Sequence, residues 1–358
     1  MASQTRRSAS PDALTTLGLR LTKQFAEADA STGRRNVIFS PLSIYSALAL
    51  VAAGARGSTL DELLALLGAG SREDLAEFLG SLDKAVDEIN NWVAAVTNNL
   101  IKSVPGPSSL SPDTSVLLAN AIYFKGTWDE PFRKEGTKLD KFYLLDGTTA
   151  IDAPLMRKDG GSQLIAVHDG FKVLSLPYRV SSKWRRGDHH VPEYSMCIVL
   201  PDEHDGPWNV VDRITSGPGF LRDHLPSRTV QVGKLRLPKF KFSYSTQLIS
   251  FLQNMGLKLT FDSNEADHSD MTIDDGSGKP LVTSGVFHNA VIEVNEEGTE
   301  AAAVTFFSLP PGAAMWSPPR HTVDFIDDHP FAFFIIEEVT NAVVFARYLL
   351  NPLQGYSE

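Results

Sequence analysis

Val294-Asn295-Glu296-Glu297-Gly298-Thr299-Glu300-Ala301-Ala302-Ala303 is the stretch that decides how the chain is read. The stretch 286–294 reads as a strand leading into it, and Gly298 opens a tract of small side chains. Successive side chains of a strand face opposite ways. In a strand, Thr299, Ala301, Ala303, Thr305 and Phe307 share one face, and Glu300, Ala302, Val304, Phe306 and Ser308 share the other. The first set carries no charge, so burying it incurs no ionic desolvation penalty. The tract is therefore suited to joining a sheet; an alanine-rich helix or a linker is the plainer alternative.

Downstream, 331–339 and 343–349 are apolar but for Glu337, Glu338 and Arg347, as expected of buried central strands. Upstream, strands are expected at 117–124, 172–178 and 194–200. The stretch 234–244 alternates, with Leu235 and Leu237 on one face and Phe240, Phe242 and Tyr244 on another. Pro238 stands where the phase changes, which predicts a bulge or bend. The first hundred residues are helical in pattern. Leu14, Leu17, Leu21 and Phe25 recur at helical spacing, and Ser40-Pro41 is a helix start. Thr59 and Glu62 predict a capping box for a helix over 60–67, ended by Gly68. Ser71 begins a short helix, and Ile89, Val93, Val96 and Leu100 mark one face of another. Helices first and strands after predict one α+β domain over 1–358.

Composition narrows the functions. A net charge of −10 repels phosphate backbones and anionic lipid, so neither a nucleic-acid nor a membrane partner is expected. A lone cysteine, Cys197, sits in an apolar run and reads as a small buried hydrophobe. No apolar signal segment follows the N-terminus and no Asn-x-Ser/Thr sequon occurs, which predicts an intracellular, cytoplasmic address. The adjacent His189 and His190 read as a surface pair rather than a metal site, and Gly276-Ser277-Gly278-Lys279 as a solvated turn. No catalytic motif is found, so no enzyme, cofactor or metal is expected.

Several words in order resemble the serpin family of serine protease inhibitors. They are Asn36-Val37-Ile38-Phe39-Ser40-Pro41-Leu42-Ser43-Ile44, then Asn120-Ala121-Ile122-Tyr123-Phe124-Lys125-Gly126-Thr127-Trp128 with Pro131-Phe132. The opening decamer, His329-Pro330-Phe331 and Asn351-Pro352-Leu353 complete the set, and its form is most like plant serpins of the Z type. The resemblance implies the serpin fold: a large, mostly antiparallel central sheet A, sheets B and C, surrounding helices and an exposed reactive-centre loop at about 298–320. It implies suicide trapping, in which a protease cuts the loop as substrate and the loop then enters the main sheet as a new strand. The expected partner is a serine-type protease, chymotrypsin- or elastase-like, with a cysteine protease as the alternative; the inhibitor itself is expected to be a monomer.

By the same resemblance, Gly298, Thr299, Glu300, Ala301, Ala302, Ala303, Val304 and Thr305 form the loop hinge. Ser40, Ser43, Asn120 and His288 form the shutter, a polar cluster beneath the opening point of the sheet. Trp128 and Phe132 form the breach, where insertion begins. The family's usual distance from the hinge puts the scissile bond at Gly312–Ala313, although Pro310 and Pro311 precede it and glycine offers a protease pocket no side chain. Counting back from Thr322-Val323-Asp324-Phe325 points instead near Ala314 or Met315, and a bond at Met315–Trp316 would present Ala313-Ala314-Met315 to the protease. One departure matters: after the helix near Ser71, Leu79 to Val86 lead almost straight into the next, so a helix and two outer strands of sheet A are expected to be missing. A truncated, non-inhibitory serpin with a binding or storage role, or an inactive product, is therefore the rival reading.

Overall fold

A computed structural model of the chain describes residues 9–32, 36–79, 116–124, 126–179, 193–204, 208–271, 281–299 and 322–354. The helix expected around Ile89 to Leu100, the His189–His190 pair, the Gly276 turn and the loop from Glu300 onward lie outside the described residues.

Helix α1 (Pro11–Thr32) buries Leu14, Leu17, Leu21 and Phe25, the stripe that its spacing predicts. Strand β1 (Val37–Phe39) runs into α2 (Pro41–Gly54), whose N-cap is Ser40: the Ser43 N–H donates to its hydroxyl, and Pro41 occupies the first helical turn. Helix α3 (Gly57–Leu67) ends on Gly68 in the left-handed conformation. The expected capping box does not form. The helix begins three residues earlier, at Gly57, and both side chains hold distant chain instead. Thr59 Oγ1 accepts from the Asp267 N–H, and the Glu62 carboxylate accepts from the N–H groups of Lys258 and Leu259 at 2.7 and 2.8 Å. A further helical stretch covers 72–79. Among the described residues no helix is long and apolar enough to cross a membrane.

The strands that follow are β2 (Val116–Tyr123), β3 (Gly126–Thr127), β4 (Lys138–Tyr143), β5 (Ala150–Asp159), β6 (Ser162–His168), β7 (Phe171–Pro177) and β8 (Tyr194–Pro201). Then come β9 (Thr229–Pro238), β10 (Phe240–Gln247), β11 (Thr283–Asn295), β12 (Gly298–Thr299), β13 (Val323–Ile326), β14 (Phe331–Glu337) and β15 (Val343–Leu349). They form two sheets. A ten-stranded sheet has the order β1-β15-β14-β8-β7-β6-β9-β5-β4, with β13 beside β9. A five-stranded sheet has the order β10-β11-β12-β3, with β2 also on β11. Pro238 is not a bulge within one strand: β9 pairs with β5 in the large sheet and β10 with β11 in the small one, so the phase change at Pro238-Lys239 is a switch between sheets.

A continuous buried core runs between the sheets and under α1 and α2. Phe331 to Ile336 and Val343 to Leu349 are all buried, as their mainly apolar sequence predicts; Arg347 is buried with them, its guanidinium 3.5 Å over the Phe242 ring. Cys197 is buried and burial pushes its thiol up to about 12, which makes it a packing residue rather than a nucleophile.

Candidate functional site: a parting strand pair

The five-stranded sheet is held together by a seam. β11 and β2 run parallel and hydrogen-bonded from Thr283↔Val116 to Val291↔Tyr123. Beyond that point they separate, and β12 lies between β11 and β3. Thr299 pairs with Val294 on one side and Gly126 on the other; Gly298 pairs with Asn295 and Thr127. The first two hinge residues expected from the sequence are thus already strands of this sheet. Both are buried, Thr299 completely.

Gly298 is required by space as well as by backbone. Its φ is +152°, and a Cβ would stand 2.0 Å from the Gly126 carbonyl oxygen and 2.7 Å from Thr127 Cα. Gly126 opposite leaves room for the Tyr178 ring, whose Cδ1 would lie 2.4 Å from a Cβ there.

Tyr178 stacks on Trp128 with ring centres 4.6 Å apart, and its hydroxyl shares a 2.7 Å hydrogen bond with Thr299 Oγ1. Burial raises the Tyr178 pKa, so the phenol stays protonated. The Trp128 indole donates to the Asn295 carbonyl at 3.0 Å, while the Trp128 and Phe132 N–H groups donate to the carbonyls of Glu297 and Glu296. Trp128 and Phe132, the two expected breach aromatics, therefore meet at the turn into β12.

Ionic contacts pin the same turn. Glu296 is 5% exposed; Thr137 Oγ1 donates to its carboxylate at 2.6 Å and Lys239 Nζ lies 2.9 Å away. Burial pushes this carboxyl up, but the Thr137 and Lys239 contacts outweigh it and hold the pKa below the usual value. Glu297 pairs with Lys134 at 2.5 Å. Tyr178, Glu296, Thr137, Lys239 and Lys134 were not singled out from the sequence. Their partners are far away in the chain, 159 residues for Thr137 and Glu296, and no local pattern signals such a pair.

Six residues down β11, about 20 Å from Val294 at roughly 3.3 Å per residue, lies the polar cluster. His288 and Asn120 are register partners across the seam. Ser40 N–H donates to His288 Nε2 at 3.1 Å, Ser40 Oγ donates to the Val344 carbonyl at 2.7 Å, and Asn120 Nδ2 donates to the Ser43 carbonyl at 2.8 Å. Ser43 Oγ also donates to Asn120 Oδ1. Ser40, Ser43, Asn120 and His288 are thus one network that ties the N-terminus of α2 to both strands of the seam. Since Nε2 accepts, the His288 proton sits on Nδ1, which is buried without a partner among the described residues. Burial alone lowers the His288 pKa to about 3.

The geometry defines an α+β protein of two sheets, in which a long strand pair parts to admit the start of the chain's own C-terminal loop. The serpin (serine protease inhibitor) family model matches residues 12–86 and 76–352. The rice (Oryza sativa subsp. japonica) relative serpin-Z6A is 43% identical over 95% of this chain and 100% of that one, and rice serpin-Z2B is 41% identical over 95% and 96%. The structure of Arabidopsis AtSerpin1 in its native stressed conformation superposes with a TM-score of 0.77 at 31% identity, covering 96% of this chain and 98% of that one. This chain belongs to the serpin family, whose members are generally protease inhibitors rather than catalysts.

The alignment with serpin-Z6A runs over 405 residues, whereas 95% of 358 residues is about 340, so about 65 residues of that alignment have no counterpart here. In the structure, among the described residues, β2 pairs with β11 alone. Neither observation contradicts the expected shortening of the sheet.

Proposed function

We propose that this serpin inhibits a serine-type protease by taking its cleaved loop into the seam between β11 and β2. The observation that carries the reading is β12: the strand that insertion would lengthen is already started and in register. Continuing that antiparallel register places Ala301 between Ile292 and Phe124, Ala303 between Ala290 and Ile122, and Thr305 between His288 and Asn120. Ile292, Ala290, Ile122 and Phe124 are all buried, so the uncharged, small-residue face of the loop is the one that turns inward. Glu300, Ala302 and Val304 would face outward beside the half-buried Glu293, Val291 and Asn289.

Insertion exchanges one parallel pairing for two antiparallel ones, which are slightly more stable per residue, and buries further apolar surface. That gain is the driving force for trapping. The polar cluster lies across the seam where it must open, and each member can re-pair with the incoming strand: Thr305 brings a hydroxyl to the level of the unpartnered His288 Nδ1. The bait is Gly312–Ala313 or Met315–Trp316. The absence of Arg, Lys, Asp and Glu between Ala301 and Pro319 favours a chymotrypsin- or elastase-type target.

The expected shortening of the sheet favours a second reading, a serpin that is cut without trapping and serves in binding or storage or is an inactive product. One experiment separates them. The protein is incubated with chymotrypsin-, elastase- and papain-type proteases and run on denaturing gels. An inhibitor gives an SDS-stable covalent complex, and the mass of the released C-terminal peptide assigns the bond. Cleavage with no complex supports the second reading and overturns the first.

A further inference from the structure

At one end of the ten-stranded sheet the turn after β8, which carries His204, meets the connection from β13 to β14, which carries Asp328 and His329. The β4–β5 hairpin closes over both. Tyr143 N–H donates to the Asp328 carbonyl at 2.7 Å, and the Tyr143 ring lies 5.0 Å from that of His204. The His204 and His329 rings are stacked, 4.3 Å apart and 13° from parallel. His329 is buried and His204 and Asp328 are half-buried.

The hydrogen bonds of His329 fix what this corner needs. Its Nε2 lies 2.8 Å from the Pro201 carbonyl oxygen, which can only accept, so Nε2 carries a proton. The other nitrogen, Nδ1, then presents a lone pair to Asp328 Oδ1 at 2.8 Å. Two lone pairs at that distance require a proton or a metal cation between them. A ring nitrogen of His204 makes a third donor, and the three ligand atoms lie within 4.8 Å of one another. Ligands at about 2.0–2.1 Å from one ion in a tetrahedron stand about 3.3–3.4 Å apart, so the half-buried His204 has to swing inward by up to about 1.5 Å, its ring turning out of the stack to aim a nitrogen at the ion.

We propose that His204, Asp328 and His329 form a binding site for one divalent first-row cation of the zinc kind. Two imidazoles and a carboxylate are a borderline donor set that suits Zn²⁺, with water completing a tetrahedron. The N–H of His329 anchored on the Pro201 carbonyl is the outer contact that holds a ligating ring in one tautomer and orientation. The cation ties the turn after β8 to the segment joining β13 and β14, just downstream of the reactive-centre loop.

The test uses the full-length protein, stripped with a chelator and titrated calorimetrically with zinc chloride. One site per chain is expected, with affinity at least tenfold weaker in His204→Phe, which keeps a ring stacked on His329, and in Asp328→Asn. Zinc should raise the melting temperature of the wild type and leave that of His204→Phe unchanged. Cobalt substituted for zinc should give the visible absorption of a four-coordinate nitrogen and oxygen site in the wild type alone. No saturable binding overturns the proposal and leaves a shared proton between His329 and Asp328. Undiminished binding in both variants also overturns it, because the zinc then sits on other histidines, such as the neighbouring rings of His168 and His224.

Discussion

Replacing His288 by glutamine should remove a specific part of the protein's acid sensitivity. In the folded state His288 is buried and neutral, with a pKa of about 3; in the unfolded chain it returns to its ordinary 6.5. Unfolding therefore takes up a proton wherever the pH lies between those values. The direction follows: the folded state is unpenalised above pH 6.5 and loses stability as the pH falls below it, by a little over 1 kcal/mol per pH unit. At pH 5 the loss amounts to about 2 kcal/mol. Glutamine keeps an oxygen that can accept from the Ser40 N–H but cannot titrate. Urea unfolding of both proteins, with the loop intact, at pH 7, 6 and 5 measures the effect. The wild type should lose about 2 kcal/mol more than His288→Gln between pH 7 and pH 5. Parallel pH profiles would show that His288 is not held neutral across the seam, and would remove the polar cluster from the account of how the sheet opens.

Other substitutions test the seam itself. Thr305→Arg would bring a charge between His288 and Asn120, at a desolvation cost of several kcal/mol, so the protein should be cut as a substrate with no SDS-stable complex; Val304→Arg, on the outward face, should keep trapping. Gly298→Ala should expel β12 from between β11 and β3, because its Cβ has no space beside the Gly126 carbonyl, and hydrogen exchange at Thr299 should rise by orders of magnitude. Lys239→Met leaves the buried Glu296 carboxylate without its cation and should cost about 2–3 kcal/mol at pH 7. Because the Glu296 pKa is held below its usual 4.5, the contribution lost in this variant is one present above that pH, and the difference from wild type should shrink as the pH drops below it.

How much of this was legible depended on whether the signal was local. Ser40-Pro41 announced a capped helix because a hydroxyl and a fixed φ act within one turn, and α2 starts there. The mainly apolar runs marked β14 and β15 because both faces of those strands are covered. Alternation in the hinge gave the inward set, and the register of Thr299 agrees with it. Local rules failed where tertiary partners took the side chain. Thr59 and Glu62 have the spacing of a capping box, yet each holds a backbone segment some 200 residues away. Pro238 shows a change of phase but not that the chain leaves one sheet for another. The Glu296–Lys239–Thr137 contacts and the His204–Asp328–His329 corner join residues with no shared period or motif, so only the folded chain displays them.

Central to the account is that the intact fold is not the most stable arrangement this chain can reach. The direct measurement is thermal unfolding of the protein before and after a single cut within 309–316. If the severed segment fills the seam between β11 and β2, the nicked form should melt far above the intact one. Equal melting temperatures, with Thr283 to Val291 exchanging their amide hydrogens at the same rate in both, would contradict it.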